Sequence, residues 1–169
     1  PLTSSTPAYK NDGTDTDFEN RAGDHHDGME FFSLSDSGGV STTGVTRGLL
    51  AMNHEATTNE GLPSYFVHAN GGTNALPRPG LEVDKEMALH GLSVLEVRSN
   101  NGKWEYLPGS NFNRRVHQQT EVQISGPVRG NALVKTKYSP DGTRFRGTIN
   151  NCGTGRTPWN TYLSGEENW

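Results

Sequence analysis

Short apolar runs separated by polar, Gly- and Pro-containing stretches recur along the chain, and their period is mostly that of strands. Residues 29–34 read as a strand, and residues 47–53 form a compact apolar run bounded by polar residues, the pattern of a buried strand. Residues 92–98 alternate and are partly β-branched; after Asn100-Asn101-Gly102 the pattern resumes over residues 103–107. Asn-Gly supplies the positive φ that a tight turn needs, so these two runs predict a hairpin. Further strands are expected at 121–125, 132–138 and 144–150, the last two joined by a turn at 140–143. Residues 148–151 and 161–163 predict a final hairpin, connected across residues 153–160. Helical spacing occurs once, over residues 81–89, where Val83 and Met87 lie four apart and Gly91 follows. Residues 108–120 read as loop, and residues 56–80 as a long irregular stretch, a length that usually carries function, is disordered or packs on a partner element.

Many short strands, tight turns and almost no helix point to an all-β fold, a sandwich or a propeller. At ~40 residues per four-stranded blade, the chain holds about three blades or fewer. Residues 1–22 are polar and without period, an N-terminal arm; residues 23–169 are the β domain. Composition sharpens this picture. Hydrophobic residues are 30% of the 169 and mean hydropathy is -0.76. The aromatics and compact apolar runs oppose disorder, while 21 glycines and nine prolines suit a loop-rich β protein. A net charge of -4 with no basic run argues against nucleic-acid binding. No stretch approaches the ~18 apolar residues of a membrane span. The start at Pro1 reads as a processed or trimmed chain.

Candidate chemistry gathers in three places. Cys152, the single cysteine, precedes the adjacent carboxylates Glu166 and Glu167 across the final hairpin, whose antiparallel pairing brings thiol and carboxylate together. If the strand continues through both glutamates, one faces the thiol; if it ends at Gly165, both can turn inward. A thiolate is a soft ligand and carboxylates are hard ones, so the set suits a transition metal beside an oxygen-binding cation; a buried apolar cysteine is the alternative. Gly23-Asp24-His25-His26-Asp27-Gly28 is either a ligand cluster or a polar turn before a strand. Asn53-His54-Glu55 ends the buried run at 47–53, where polar groups either build a site or cap the strand. A lone cysteine makes no internal disulfide, which fits a reducing compartment or an exported chain whose thiol is occupied.

The stretches Gly23–Phe32, Arg47–Glu55, Glu86–Val97, Ile124–Pro127 and Asn150–Trp169 resemble, in order, the N-terminal part of the PhoX-type bacterial alkaline phosphatases. The resemblance implies a partial β-propeller, its first blades carrying long decorated loops and one short helix. It implies metal-dependent hydrolysis of phosphomonoesters with release of inorganic phosphate, on ferric iron and calcium, in a periplasmic or secreted enzyme. Cys152 maps onto the iron-binding cysteine. Glu167, in preference to Glu166, maps onto the neighbouring ligand, and Glu55 and Asp24 support the cluster or a nearby calcium. Asn53, His54 and Asn151 are supporting residues, and no protein nucleophile is required. Family members are much longer, so the remaining ligands and the phosphate-binding arginines are expected on the remainder of the same protein, and order is expected only in its company. Ser164-Gly165 departs from the Thr-Cys expected before the two glutamates. A non-catalytic calcium-binding β module is the alternative function.

Overall fold

The computed structural model describes residues 2–10, 12–41, 43–57, 68, 72–73 and 75–167. Most of the irregular stretch at 56–80 lies outside the described residues. The main sheet is an antiparallel meander of β1 (His26–Ser33), β2 (Arg47–His54), β3 (Gly91–Asn100) and β4 (Lys103–Tyr106), in that order. Such a four-stranded meander is the unit of a propeller blade. The outer edge of β3 is shared: β4 pairs with Val97–Asn100, and β5 (Arg114–Val116) pairs with Leu92–Val94. The turn from β3 to β4 has Asn101 at φ 51 and Gly102 at φ 82, the left-handed pair that matches the twist of a hairpin.

β2 is flanked by a strand on each side, and six of its eight residues are buried, the polar Arg47, Asn53 and His54 as well as Gly48, Ala51 and Met52. Helix α1 (Gly80–Leu89) feeds into β3 through His90 and packs Ala88 and Leu89 on Phe18. Burial of Leu2 and Phe18 ties the polar N-terminal segment to this core, and Leu2 bonds Asn20 through its N–H and Gly109 through its carbonyl. Arg115 fastens the helix to the sheet. Its guanidinium donates to the carbonyls of Ala88, His90 and Leu92, satisfying acceptors left free at the helix C-terminus.

Two further two-stranded sheets follow: β6 (Glu121–Gln123) with β7 (Arg144–Arg146), and β8 (Asn151–Arg156) with β9 (Tyr162–Glu166). Here three expectations are corrected. Residues 132–138 are not a strand. Ala132–Val134 is a 3-10 turn, because the Asn131 side chain accepts from the Leu133 N–H and captures the backbone locally. β7 therefore pairs with β6 rather than with that segment. The loop expected at 108–120 contains β5, too short to show a period. The last hairpin begins at Asn151 rather than residue 148, so Cys152 lies within a strand and not before a loop.

Two register shifts interrupt the otherwise regular strand pairing. In β1, His26 pairs with His54 and Met29 with Met52, so Asp27 and Gly28 together oppose Asn53. In β8, Asn151 pairs with Glu166 and Thr154 with Ser164, so Cys152 and Gly153 together oppose Gly165. Each is a β-bulge of two residues against one, a feature that bends a strand and re-aims its side chains.

Candidate metal centre

The two bulges deliver their polar residues to one place. One ligand atom each from Asp27, Glu55 and Cys152 lies within 4.8 Å of the others. Asp27 comes from the bulge of β1, Cys152 from the bulge of β8, and Glu55 directly follows β2. The Glu55 N–H is held by the carbonyl of His25, a residue in the left-handed region at φ 46, and the Glu55 carbonyl meets His90 Nδ1 at 2.9 Å. Backbone on both sides of Glu55 is therefore fixed before any ligand arrives.

Charge is crowded within this cluster. The Cys152 thiol is pushed up to about 11, first by its hydrogen bond with Asp27, with burial and the charges of Asp27, Glu167 and Glu55 acting in the same direction. Glu55 is also raised, chiefly by sharing a hydrogen bond with Glu167. Carboxylates crowded around a thiol repel one another's charge, and a bound cation reverses that balance. The donor set of one soft sulfur and hard oxygens fits a metal, because metal binding and ligand deprotonation are coupled.

The residues singled out from sequence separate into groups. Cys152 and Glu55 are in the cluster, and Glu167 adjoins it through Glu55. Glu166, one residue earlier, points elsewhere: its carboxylate accepts from the Thr148 hydroxyl at 2.6 Å and the Ile149 N–H at 3.0 Å. Asp24 is not in the cluster; its carboxylate accepts from the His25 N–H at 2.8 Å and lies 3.5 Å from His25 Nδ1. Asp27 stands in the place that sequence reasoning gave to Asp24. The pattern that distinguishes it is the glycine that follows, since Asp27-Gly28 and Cys152-Gly153 are both polar-Gly steps at bulges.

The supporting residues are buried. His54 is fully buried, pulled down to about 2 mainly by desolvation, and its Nε2 lies 2.8 Å from the Ser93 hydroxyl. It stacks against His26 with ring centroids 5.0 Å apart. A neutral imidazole here is a packing and hydrogen-bonding element, because burial disfavours its charged form. Asn151 donates to the hydroxyls of Thr148 and Ser164. Asn53 is fully buried and donates to the carbonyls of Cys152 and Gly153.

A sequence family described as alkaline phosphatase PhoX matches residues 1–169. The chain belongs to this family. Its members are metal-dependent bacterial phosphatases. Among solved structures, "Pseudomonas fluorescens PhoX in complex with vanadate, a transition state analogue" is similar at 36% identity and a TM-score of 0.83. That match covers 99% of this chain and 27% of the solved chain, so the chain spans about a quarter of that relative's length. No curated protein matches. The structural neighbour has a β-propeller-type fold, and the meander and its accompanying hairpins are the first part of such a propeller, as the order of motifs implied. Among the described residues no helix is long and apolar enough to cross a membrane.

Proposed function

We propose that this chain contributes part of the metal centre of an alkaline phosphatase that hydrolyses phosphomonoesters and releases inorganic phosphate. The observation that carries the reading is the convergence of Asp27, Glu55 and Cys152 from three separate elements, in a chain of this family. Cys152 offers a thiolate, a donor suited to a transition metal, and Asp27, Glu55 and the adjoining Glu167 offer hard oxygens suited to an oxygen-binding cation; the family resemblance makes these ferric iron and calcium. Cations held there supply Lewis-acid polarisation of phosphoryl oxygens and neutralise the charge that builds on them.

The chain's own residues set the conditions for that chemistry. Two bulged strands and the end of β2 hold the ligand atoms together, so little ordering remains to be done when a cation binds. Asn53 and His54, the last two residues of β2 before Glu55, are fully buried and fix the strand end that carries it. The relative's vanadate complex is described as a transition-state analogue, and a trigonal oxyanion is the shape phosphoryl transfer requires. The remaining ligands and the groups that hold the phosphate come from the rest of the polypeptide, and the compartment is periplasmic or extracellular.

The test uses the full-length protein. Phosphate release from a simple aryl phosphate is expected to vanish on chelation, return with iron and calcium together, and be inhibited by vanadate. Full activity after both metals are stripped would overturn the proposal.

A further inference from the structure

We infer that Asn53 is the positioning residue of this centre, pinning both β-bulges so that Asp27 and Cys152 face the same point. This rests on the reading of Asp27, Glu55 and Cys152 as cation ligands. Side chains of a regular strand alternate between faces, so the direction of a residue in a bulge depends on how the extra residue is held. A bulge also strands backbone groups that the ladder would otherwise pair, and buried ones need partners.

Asn53 provides for both. It is the single residue opposite Asp27 and Gly28 in β2, so it belongs to the first bulge. Its Nδ2 donates to the second, at 2.9 Å to the Cys152 carbonyl and 3.2 Å to the Gly153 carbonyl. Its Oδ1 accepts from the Tyr162 hydroxyl at 2.9 Å and the Ser164 hydroxyl at 2.8 Å, both on β9. Tyr162 closes the circuit, since its single hydroxyl proton is shared between Asn53 Oδ1 and the Gly28 carbonyl, 3.1 Å away in the first bulge. Asn151 donates to Ser164 at 2.7 Å, fixing that hydroxyl from the other side.

The chemistry at position 53 is demanding. Two carbonyls on one side need donors and two hydroxyls on the other need an acceptor, which a short primary amide supplies. A carboxylate offers no donor and places charge against two carbonyls. A longer amide pushes the strands apart, whereas β1 and β8 pack closely here. A Cβ on Gly28 would come within 1.7 Å of Thr154 Cγ2 and 2.7 Å of the Cys152 carbonyl oxygen. The approach of β1 to β8 is thus set by Gly28 on one side and the reach of Asn53 on the other. Ser164 supplies the hydroxyl this circuit uses.

The test uses the full-length protein, stripped of metal and titrated with cobalt(II) alone as an optical probe of thiolate coordination. Cys152→Ser is expected to abolish the sulfur-to-metal band. Asn53→Ala, Asn53→Asp and Tyr162→Phe are expected to keep Cys152 but weaken cobalt binding about 10–100-fold and to diminish or shift the band, as loss of a ligand-orienting partner does. Ser164→Ala is expected to act in the same direction, and Ser164→Thr to restore wild-type binding. Should the Asn53 variants fail to fold, Tyr162→Phe and the Ser164 pair decide. Wild-type affinity and band in those variants, with both lost in Cys152→Ser, would overturn the positioning role and leave the ligand assignment intact. A band unchanged in Cys152→Ser would overturn the ligand assignment and the inference with it.

Discussion

The two ends of the β1–β2–β3 sheet use charge in opposite ways. At the end that begins β2, Arg47 meets Glu96 of β3 at 2.6 Å, and its guanidinium also donates to the carbonyls of Ser35 and Asp36. Glu96 is further satisfied by the Ser110 hydroxyl, and its N–H by Asn113 at 2.8 Å. Arg47 and its neighbours hold the Glu96 carboxyl below the ordinary range. At the end that finishes β2, Glu55 and Asp27 crowd the thiol of Cys152, and both Glu55 and Cys152 are raised. The difference is one of charge balance: opposite charges close one end of the sheet, and acidic groups gather around a thiol at the other, where we propose that a cation binds.

Breaking the closed end has the largest expected effect. Arg47→Met removes the closer of the two cations that Glu96 faces, leaving Arg98 Nε at 3.4 Å, and is expected to cost about 3 kcal/mol of stability, the low end for breaking a buried pair, read as a lower thermal midpoint of the full-length protein. Metal binding in the surviving folded fraction is expected to stay near wild type, because the pair lies at the far end of β2. A large loss of metal affinity would show that the two ends are not separate.

Breaking the open end comes next. Cys152→Ser is expected to lower phosphatase activity about 100-fold or more, the upper end of what even an outer partner of a metal costs, with little change in stability of the metal-free protein. Gly28→Ala sharpens the same contrast. The added methyl collides with Thr154 and is expected to cost about 1–3 kcal/mol of stability by overpacking, with metal affinity falling as β1 and β8 separate.

The smallest effect is a pH dependence at the closed end. Because the folded Glu96 pKa is depressed, its contribution to stability is present above the ordinary glutamate value. It fades as pH falls through the folded value. The acid-side loss of stability in wild type is expected to shrink in an Arg47→Met/Glu96→Leu double variant. Equal acid sensitivity of the two proteins would remove Glu96 as the cause.

Much of the sheet was legible in the chain. The buried run of β2 and the Asn-Gly turn between β3 and β4 are set by local pattern, and α1 begins one residue before the span its spacing marks. β5 and the 3-10 turn at Ala132–Val134 were not legible. One has three residues and the other is decided by a single side chain, Asn131. Of the candidate centre, spacing brought Cys152 near the Glu166–Glu167 pair and left open which glutamate turns toward it; the ligand role of Cys152 and the preference for Glu167 came from the family resemblance. Asp27 escaped because strand alternation gives no reason to choose it over Asp24. A bulge is decided by partners in other strands, here Asn53 and Tyr162, which lie far from it in sequence.

The central claim is that the sulfur of Cys152 holds a cation. X-ray absorption at the metal edge of the purified, metal-loaded full-length protein tests it most directly. The account predicts a sulfur scatterer in the first coordination sphere of the wild-type protein that disappears in Cys152→Ser. A shell of oxygen and nitrogen alone in the wild type would contradict it.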